Sequence, residues 1–117
     1  MLPKEYRLKN KAAFAATYRL KNSCYCNGIV LYAGKKKSED FPTKVGFVVS
    51  KKTHKRAVKR NRLKRLMRES YRLILKSGEC GHSNDYISLI FVGYEKALSK
   101  NFDEIQKSIN TLVKELK

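Results

Sequence analysis

Acidic residues are the scarce component of this chain: ten Asp and Glu stand against 27 Lys and Arg, giving a formal net charge of +17 over 117 residues. The ten (Glu5, Glu39, Asp40, Glu69, Glu79, Asp85, Glu95, Asp103, Glu104 and Glu115) are scattered, and none forms an Asp-x-Asp or similar metal-holding pair on a strand. Glu39-Asp40 and Asp103-Glu104 are adjacent pairs that loop solvation and helix capping explain. A protein nuclease needs a metal-binding acidic cluster or a paired acid and base, and the chain offers neither. Glycine-rich phosphate loops and nucleophile motifs are missing as well. No apolar run approaches the length of a membrane span, and no charged, apolar, small-residue signal opens the chain, so a cytoplasmic location is expected.

Cysteine is sparse and odd in number: Cys24, Cys26 and Cys80 fit no disulfide scaffold, as in a reducing compartment. Cys24-x-Cys26 and Cys80-x-His82 together supply four potential zinc ligands. Both spacings are tighter than those of structural zinc pairs, and the two halves lie far apart, so ordinary thiols and no metal site are expected. His54 sits inside a basic run and reads as a phosphate contact rather than a proton-transfer group.

What the chain has in abundance is positive charge in one place. From Lys51 to Arg72 the only acid is Glu69, against Lys51, Lys52, Lys55, Arg56, Lys59, Arg60, Arg62, Lys64, Arg65, Arg68 and Arg72. No proline or glycine interrupts the stretch, and its second half is rich in strong helix formers. Projected at helical spacing, Leu63, Leu66, Met67, Ser70 and Ile74 share one side, with Leu73 and Tyr71 flanking. Lys64, Arg65, Arg68, Arg72 and Asn61 take the other. Arginine forks grip phosphate oxygens in bidentate fashion, and a charge block of one sign implies a polyanionic partner, nucleic acid or anionic membrane. With 42% hydrophobic residues the chain is no disordered tail, and its length suits one domain, residues 1–117.

In order, Asn10 caps a helix from about Lys11 to Leu20, on which Phe14 and Tyr18 lie on one face. Asn22 to Gly28 is a turn-rich or short-strand passage. Gly28 to Ala33 reads as a strand, with Val30 and Tyr32 on one face and Ile29 and Leu31 on the other. Gly34 to Pro42, with Lys35-Lys36-Lys37, reads as a solvated loop. Lys44 to Ser50 is apolar enough to suggest an interior strand. Asp85 to Val92, closed by Gly93, is the clearest buried strand, and a crossover through the basic helix makes these last two parallel neighbours. Asn101 and Glu104 form a capping box for a final helix with the stripe Phe102, Ile105, Ile109, Leu112, Val113 and Leu116.

Val48-Val-Ser-Lys-Lys, followed by Ala57-Val-Lys-Arg-Asn-Arg-Leu-Lys-Arg-Leu-Met-Arg-Glu69, resembles the signature of the bacterial ribonuclease P protein subunit. The likeness extends to Tyr6-Arg-Leu8, Phe14 and Tyr18, Ile29-Val-Leu-Tyr32 and Asp85-Tyr-Ile, and so covers nearly the whole chain. There are departures. Many members carry Gly-Asn where Thr53-His54-Lys55-Arg56 stands, a glycine where Lys21 stands, and Asn-Arg where Cys26-Asn27 stands.

The resemblance implies an α+β fold of order α-β-β-β-α-β-α, a small mixed sheet backed by helices with a left-handed βαβ crossover. It implies a protein subunit that assists a catalytic RNA in cutting the 5′ leader from precursor tRNA, with catalysis by the RNA and no catalytic protein residues. Magnesium, bound mainly by the RNA, would be the cofactor, and no organic cofactor is implied. The catalytic RNA would dock on Lys51, Lys52, Arg56, Arg60, Asn61, Arg62, Lys64, Arg65 and Arg68. Phe14, Tyr18, Val30 and Tyr32 would line a cleft for the single-stranded leader, which suits aromatic rings facing a strand. The partners implied are the catalytic RNA and precursor tRNA, with no membrane and no obligatory homo-oligomer. The rival readings are a ribosomal or other structural RNA-binding protein, a stand-alone nuclease acting through His54 or cysteine-held metal, and a DNA-binding helix.

Overall fold

The runs richest in β-branched and aromatic residues become strands in the computed structural model, which describes residues 6–38, 42–78 and 85–116. The elements are α1 (Lys11–Arg19), β1 (Asn22–Cys26), β2 (Ile29–Ala33), β3 (Lys44–Val48), α2 (Ala57–Ser77), β4 (Ser88–Gly93) and α3 (Phe102–Glu115). A short 3-10 turn, Glu95–Ala97, joins the last strand to the last helix. The strands form one mixed sheet of order β1-β2-β4-β3, in which β3 and β4 run parallel and the other pairs antiparallel. The fold is α+β in the expected order, with β3–α2–β4 as the crossover.

β4 lies between two neighbours and all six of its residues are buried. β3 is an edge strand, which corrects the expectation of an interior position. Its apolar character has another cause: helices cover both faces of the sheet there, so both side-chain sets are sheltered. Val45 and Phe47 face the main core, while Gly46 and Val48 face α1. The outer side of β3 is occupied by the segment before α1, where the Leu8 N–H donates to the Val45 carbonyl at 3.0 Å. At the opposite edge β1 carries no charged residue and leaves Tyr25 59% exposed.

The main core lies between the sheet and the pair α2 and α3. Leu63, Met67, Tyr71 and Ile74 of α2 meet Ile105, Ile109, Leu112 and Val113 of α3 over Ile29, Leu31, Leu89 and Phe91. Phe91 stacks on Phe47 with centroids 5.6 Å apart and meets Tyr71 at 5.5 Å. Such ring pairs contribute about 0.5–1.5 kcal/mol each beyond the area they bury. α3 begins with the complete capping box expected of Asn101 and Glu104. α2 ends at Gly78, whose φ of 77° is the left-handed conformation glycine adopts without penalty.

α1 packs on the other face through a second cluster of Leu8, Ile90 and Val92 with Ala13, Phe14, Tyr32 and Val48. Asn10 accepts from the Ala12 N–H at 2.8 Å and starts the helix. Thr17 donates to the Ala13 carbonyl, so the buried Ser88 hydroxyl, 2.5 Å away, supplies the proton of their shared bond. Lys35 to Lys37 is more ordered than a solvated loop. The Lys37 N–H donates to Asp85, the Ile87 N–H to Lys35, and Lys36 bridges Tyr86, so the β2–β4 pairing is prolonged past the strand ends.

Two turns show opposite fits of residue to backbone. Asn27 and Gly28, with φ of 47° and 88°, make the two-residue hairpin turn between β1 and β2. A Cβ at Gly28 would lie 2.7 Å from the Ala97 backbone nitrogen. Lys21, just past α1, holds φ 54° where glycine is the favoured residue. Lys21→Gly is therefore expected to raise stability by about 0.5–1 kcal/mol. Gly28→Ala is expected to lower it by more than about 1 kcal/mol. Urea unfolding midpoints of the two variants check both signs; a gain for Gly28→Ala would overturn this account of the turn.

Candidate nucleic-acid interface

α2 carries its charge on the side away from the core because burial fixes the opposite face. Leu63, Met67, Ser70, Tyr71 and Ile74 are buried, and Asn61 and Arg65 are exposed, with Arg68 half-buried beside them. The residues preceding the helix add Lys51, Lys52, Lys55 and Arg56, all exposed. The first turn of α2 has no acidic residue and no side-chain cap, so the positive end of the helix dipole adds to that field. Glu69, the one acid of the stretch, is bound by Arg72 at Nε, 2.9 Å away. That hydrogen bond holds its carboxyl below the ordinary value. The pairing consumes Arg72 and leaves Lys64, Arg65 and Arg68 without an ion-pair partner among the described residues.

Two of the arginines have structural work. Arg60 Nη1 donates to the carbonyls of His54 at 2.9 Å and Lys55 at 2.8 Å, fastening the approach loop to the helix. Arg62 turns toward α3 and grips the carbonyls of Leu98 and Lys100, each at 3.1 Å, through its two terminal nitrogens. Sequence projection gives no sign of either clasp, because the acceptors are backbone atoms.

The second surface is the part of the sheet that α1 leaves open. A helix of nine residues is roughly 13 Å long, enough to cross the strands at one end only. The Phe14 ring sits against Gly46, where a Cβ would come within 2.5 Å of it, so glycine is what lets the ring approach the sheet. Tyr18 meets Tyr32 edge to face, with centroids 4.9 Å apart and planes at 77°. Tyr18 remains 37% exposed, and Val30 and Tyr32 are half-buried. The four expected cleft residues are thus on one face, at the crossing of α1 and the sheet. Burial, then the neighbouring phenols of Tyr32 and Tyr94, raises the Tyr18 hydroxyl above its ordinary value of 10.0.

Tyr94 was not foreseen. It follows Gly93 and continues the alternation Ile90, Val92, Tyr94 on the cleft face; the strand's expected close at Gly93 hid that parity. Burial, then the neighbouring Tyr32 phenol, raises its hydroxyl as well. A separate concavity of about 480 Å³ lies on the far flank of α1, lined by Leu8, Ala13, Ala16, Leu20 and Ile87, and has no aromatic ring in its lining. Cys24 and Cys26 share a face of β1 and pack, half-buried, against the main core, where burial raises the Cys24 thiol. Cys80 and His82 lie outside the described residues. Among the described residues no three His, Cys, Asp or Glu side chains gather around a point where a metal could sit, and no helix is long and apolar enough to cross a membrane.

A cationic crossover helix beside an aromatic-walled sheet defines a small basic α+β protein with two distinct surfaces, one charged and one aromatic. The chain belongs to the ribonuclease P protein family: the Ribonuclease P family model matches residues 2–117. It is 34% identical over 113 residues to the ribonuclease P protein component of Clostridium novyi, covering 97% of this chain and 95% of that protein. It is 37% identical over 109 residues to the same component of Clostridium kluyveri, covering 93% and 92%. The solved RNase P protein of Staphylococcus aureus superimposes with a TM-score of 0.77 at 28% identity, over 95% of this chain and 94% of that one. Membership carries the general role of the family, a non-catalytic protein component in tRNA 5′-end processing.

The clasp at Arg62 separates fold from binding. Arg62→Ala is expected to cost about 1–3 kcal/mol of stability through two lost charge-assisted bonds, and Arg62→Lys should not restore both. Arg65→Ala, pointing to solvent, should stay within about 0.5 kcal/mol of the parent. Guanidinium unfolding of the three variants reads this out, and equal midpoints would remove the structural role of Arg62.

Proposed function

We propose that this chain acts as a single RNA-binding domain that joins a catalytic RNA to the 5′ leader of precursor tRNA. The crest of α2 and the loop before it (Lys51, Lys52, Arg56, Arg60, Asn61, Arg62, Lys64, Arg65 and Arg68) dock on the RNA subunit. Phe14, Tyr18, Val30 and Tyr32 hold the unpaired leader. The observation that carries this reading is the half-open Tyr18–Tyr32 pair where α1 crosses the sheet. A pair serving only the core would be sealed, as Phe91 and Tyr71 are. Exposed ring faces accept bases of any sequence by stacking, which suits leaders that differ from one tRNA to the next.

The division of labour follows from the chemistry of the side chains. The chain presents cations and rings, so it can neutralise phosphates and orient a strand. Magnesium, in this reading, is held mainly by the RNA. Hydrolysis belongs to the RNA, and the protein supplies binding and orientation. The setting is the cytoplasm, and a protein homo-oligomer is not required.

Holoenzyme reconstituted from the chain and its catalytic RNA tests the reading. Tyr18→Ala and Tyr32→Ala should each weaken precursor tRNA binding by about 1–3 kcal/mol while leaving mature tRNA, which has no leader, unchanged. Equal losses for both RNAs would return the rings to the core. The protein alone, with precursor tRNA and magnesium, should not cleave.

Affinity for the catalytic RNA should fall steeply with salt because phosphate contacts release counterions. Arg65→Ala and Arg68→Ala should each reduce the log–log slope by about one. These positions are the cleaner probes, since Arg60 and Arg62 also hold the fold. A double variant with the parent's affinity and slope would show that this face is not the docking surface.

A further inference from the structure

Tyr94 stands outside every motif that the family resemblance identified, yet the fold turns it onto the cleft. Side chains alternate along β4, so Leu89 and Phe91 enter the main core while Ile90 and Val92 face α1. Tyr94 shares the parity of the second pair. The backbone holds it there: its N–H donates to the Gly28 carbonyl at 2.8 Å, and its carbonyl accepts from Ala97 at 2.9 Å. The residue across from it is glycine, which raises no side chain beside the ring. Tyr94 is 43% exposed, comparable with Tyr18 at 37%.

Tyr32 lies opposite Ile90 in the β2–β4 register. Tyr94 comes four residues further along β4, so the two side chains are rooted roughly 13 Å apart along the strands. Both tyrosines stand on the α1 side of the sheet, with the Val30–Val92 pair between their positions in the register. Tyr18, Tyr32 and Tyr94 therefore form a row that runs from α1 toward the end of β4.

We propose that Tyr94 is a third base-stacking ring of the cleft, extending the single-stranded RNA that the site can hold beyond the Tyr18–Tyr32 pair. This rests on the leader-binding reading above and deepens it. The backbone bonds to Gly28 and Ala97 fix where Tyr94 leaves the sheet before RNA arrives, which limits the ordering that binding must supply. The apolar strip of Val30 and Val92 beneath the pair leaves no water-filled gap between the stacking positions.

The experiment uses holoenzyme and precursor tRNAs whose leaders are lengthened one nucleotide at a time, with dissociation constants measured for the parent, Tyr18→Ala, Tyr94→Ala and Tyr94→Phe. Tyr94→Ala should weaken binding about five- to tenfold, the low end of a base–ring stack. The loss should set in at a different leader length from that for Tyr18→Ala, because the two rings lie at opposite ends of the row. Tyr94→Phe should keep most of the affinity. If Tyr18→Ala loses leader affinity while Tyr94→Ala matches the parent at every length, the proposal for Tyr94 is overturned and the cleft stands. Onset at the same length as Tyr18→Ala would make Tyr94 a prop for Tyr32 and also overturn it, as would a full loss in Tyr94→Phe. If neither alanine variant loses affinity, the leader-binding reading itself fails. Thermal unfolding of Tyr94→Ala close to the parent is expected from its exposed position, and a collapse in stability would count against a binding role.

Discussion

Burial of β4 on both faces is the constraint from which the rest of this protein follows. A strand with six buried residues must find an apolar partner on each side and a neighbour along each edge. β2 and β3 supply the edges, α2 and α3 one face, α1 the other. The long helix reaches its place only as the crossover between β3 and β4, so its cationic crest is fixed relative to the sheet. The cleft depends on the same strand. Ile90 and Val92 form its floor, and Ser88 anchors α1 through Thr17, so the aromatic walls stand on the most buried strand of the sheet.

In the proposed roles the two surfaces would meet polyanions by different physics. The crest of α2 is electrostatic and acts at a distance, and its strength depends on counterions. The cleft would act at contact, through ring faces and an apolar floor. Arg60 and Arg62 belong to both worlds, since their charges lie in the basic stretch while their hydrogen bonds hold the approach loop and the segment before α3. A guanidinium has enough donors to serve a carbonyl on one side and remain a source of field on the other.

Much of this architecture was legible in the sequence wherever one face of an element had to be apolar. The stripe of α2, the capping box at Asn101 and the parallel pairing of β3 with β4 came directly from periodicity and connection length. The position of β3 did not. Two sheltered faces look alike in a central strand and in an edge strand lying between layers, and periodicity cannot tell them apart. Lys35 to Lys37 looked like a solvated charge run because their bonds to the β4 side are made by backbone atoms. Asn27-Gly28 carried a recognised hairpin signal within a passage read only as turn-rich. The family resemblance grouped Phe14, Tyr18, Val30 and Tyr32, and the shared faces of the first helix and the second strand agree with their meeting where α1 crosses the sheet. Tyr94 was missed because one glycine appeared to end the strand, and a residue's parity is invisible once its strand is thought to have stopped.

The uncharged outer edge of β1 has a consequence for how the free protein behaves. Proteins commonly guard such an edge with lysines, a proline or a bulge, because its unpaired backbone groups invite another chain. Asn22 to Cys26 has none of these, and Tyr25 adds an exposed ring. The guard is instead colloidal: a net charge of +17 keeps molecules apart as long as it is unscreened. Salt that shortens the screening length therefore loosens the protein's hold on RNA and removes its protection against its own kind in the same step.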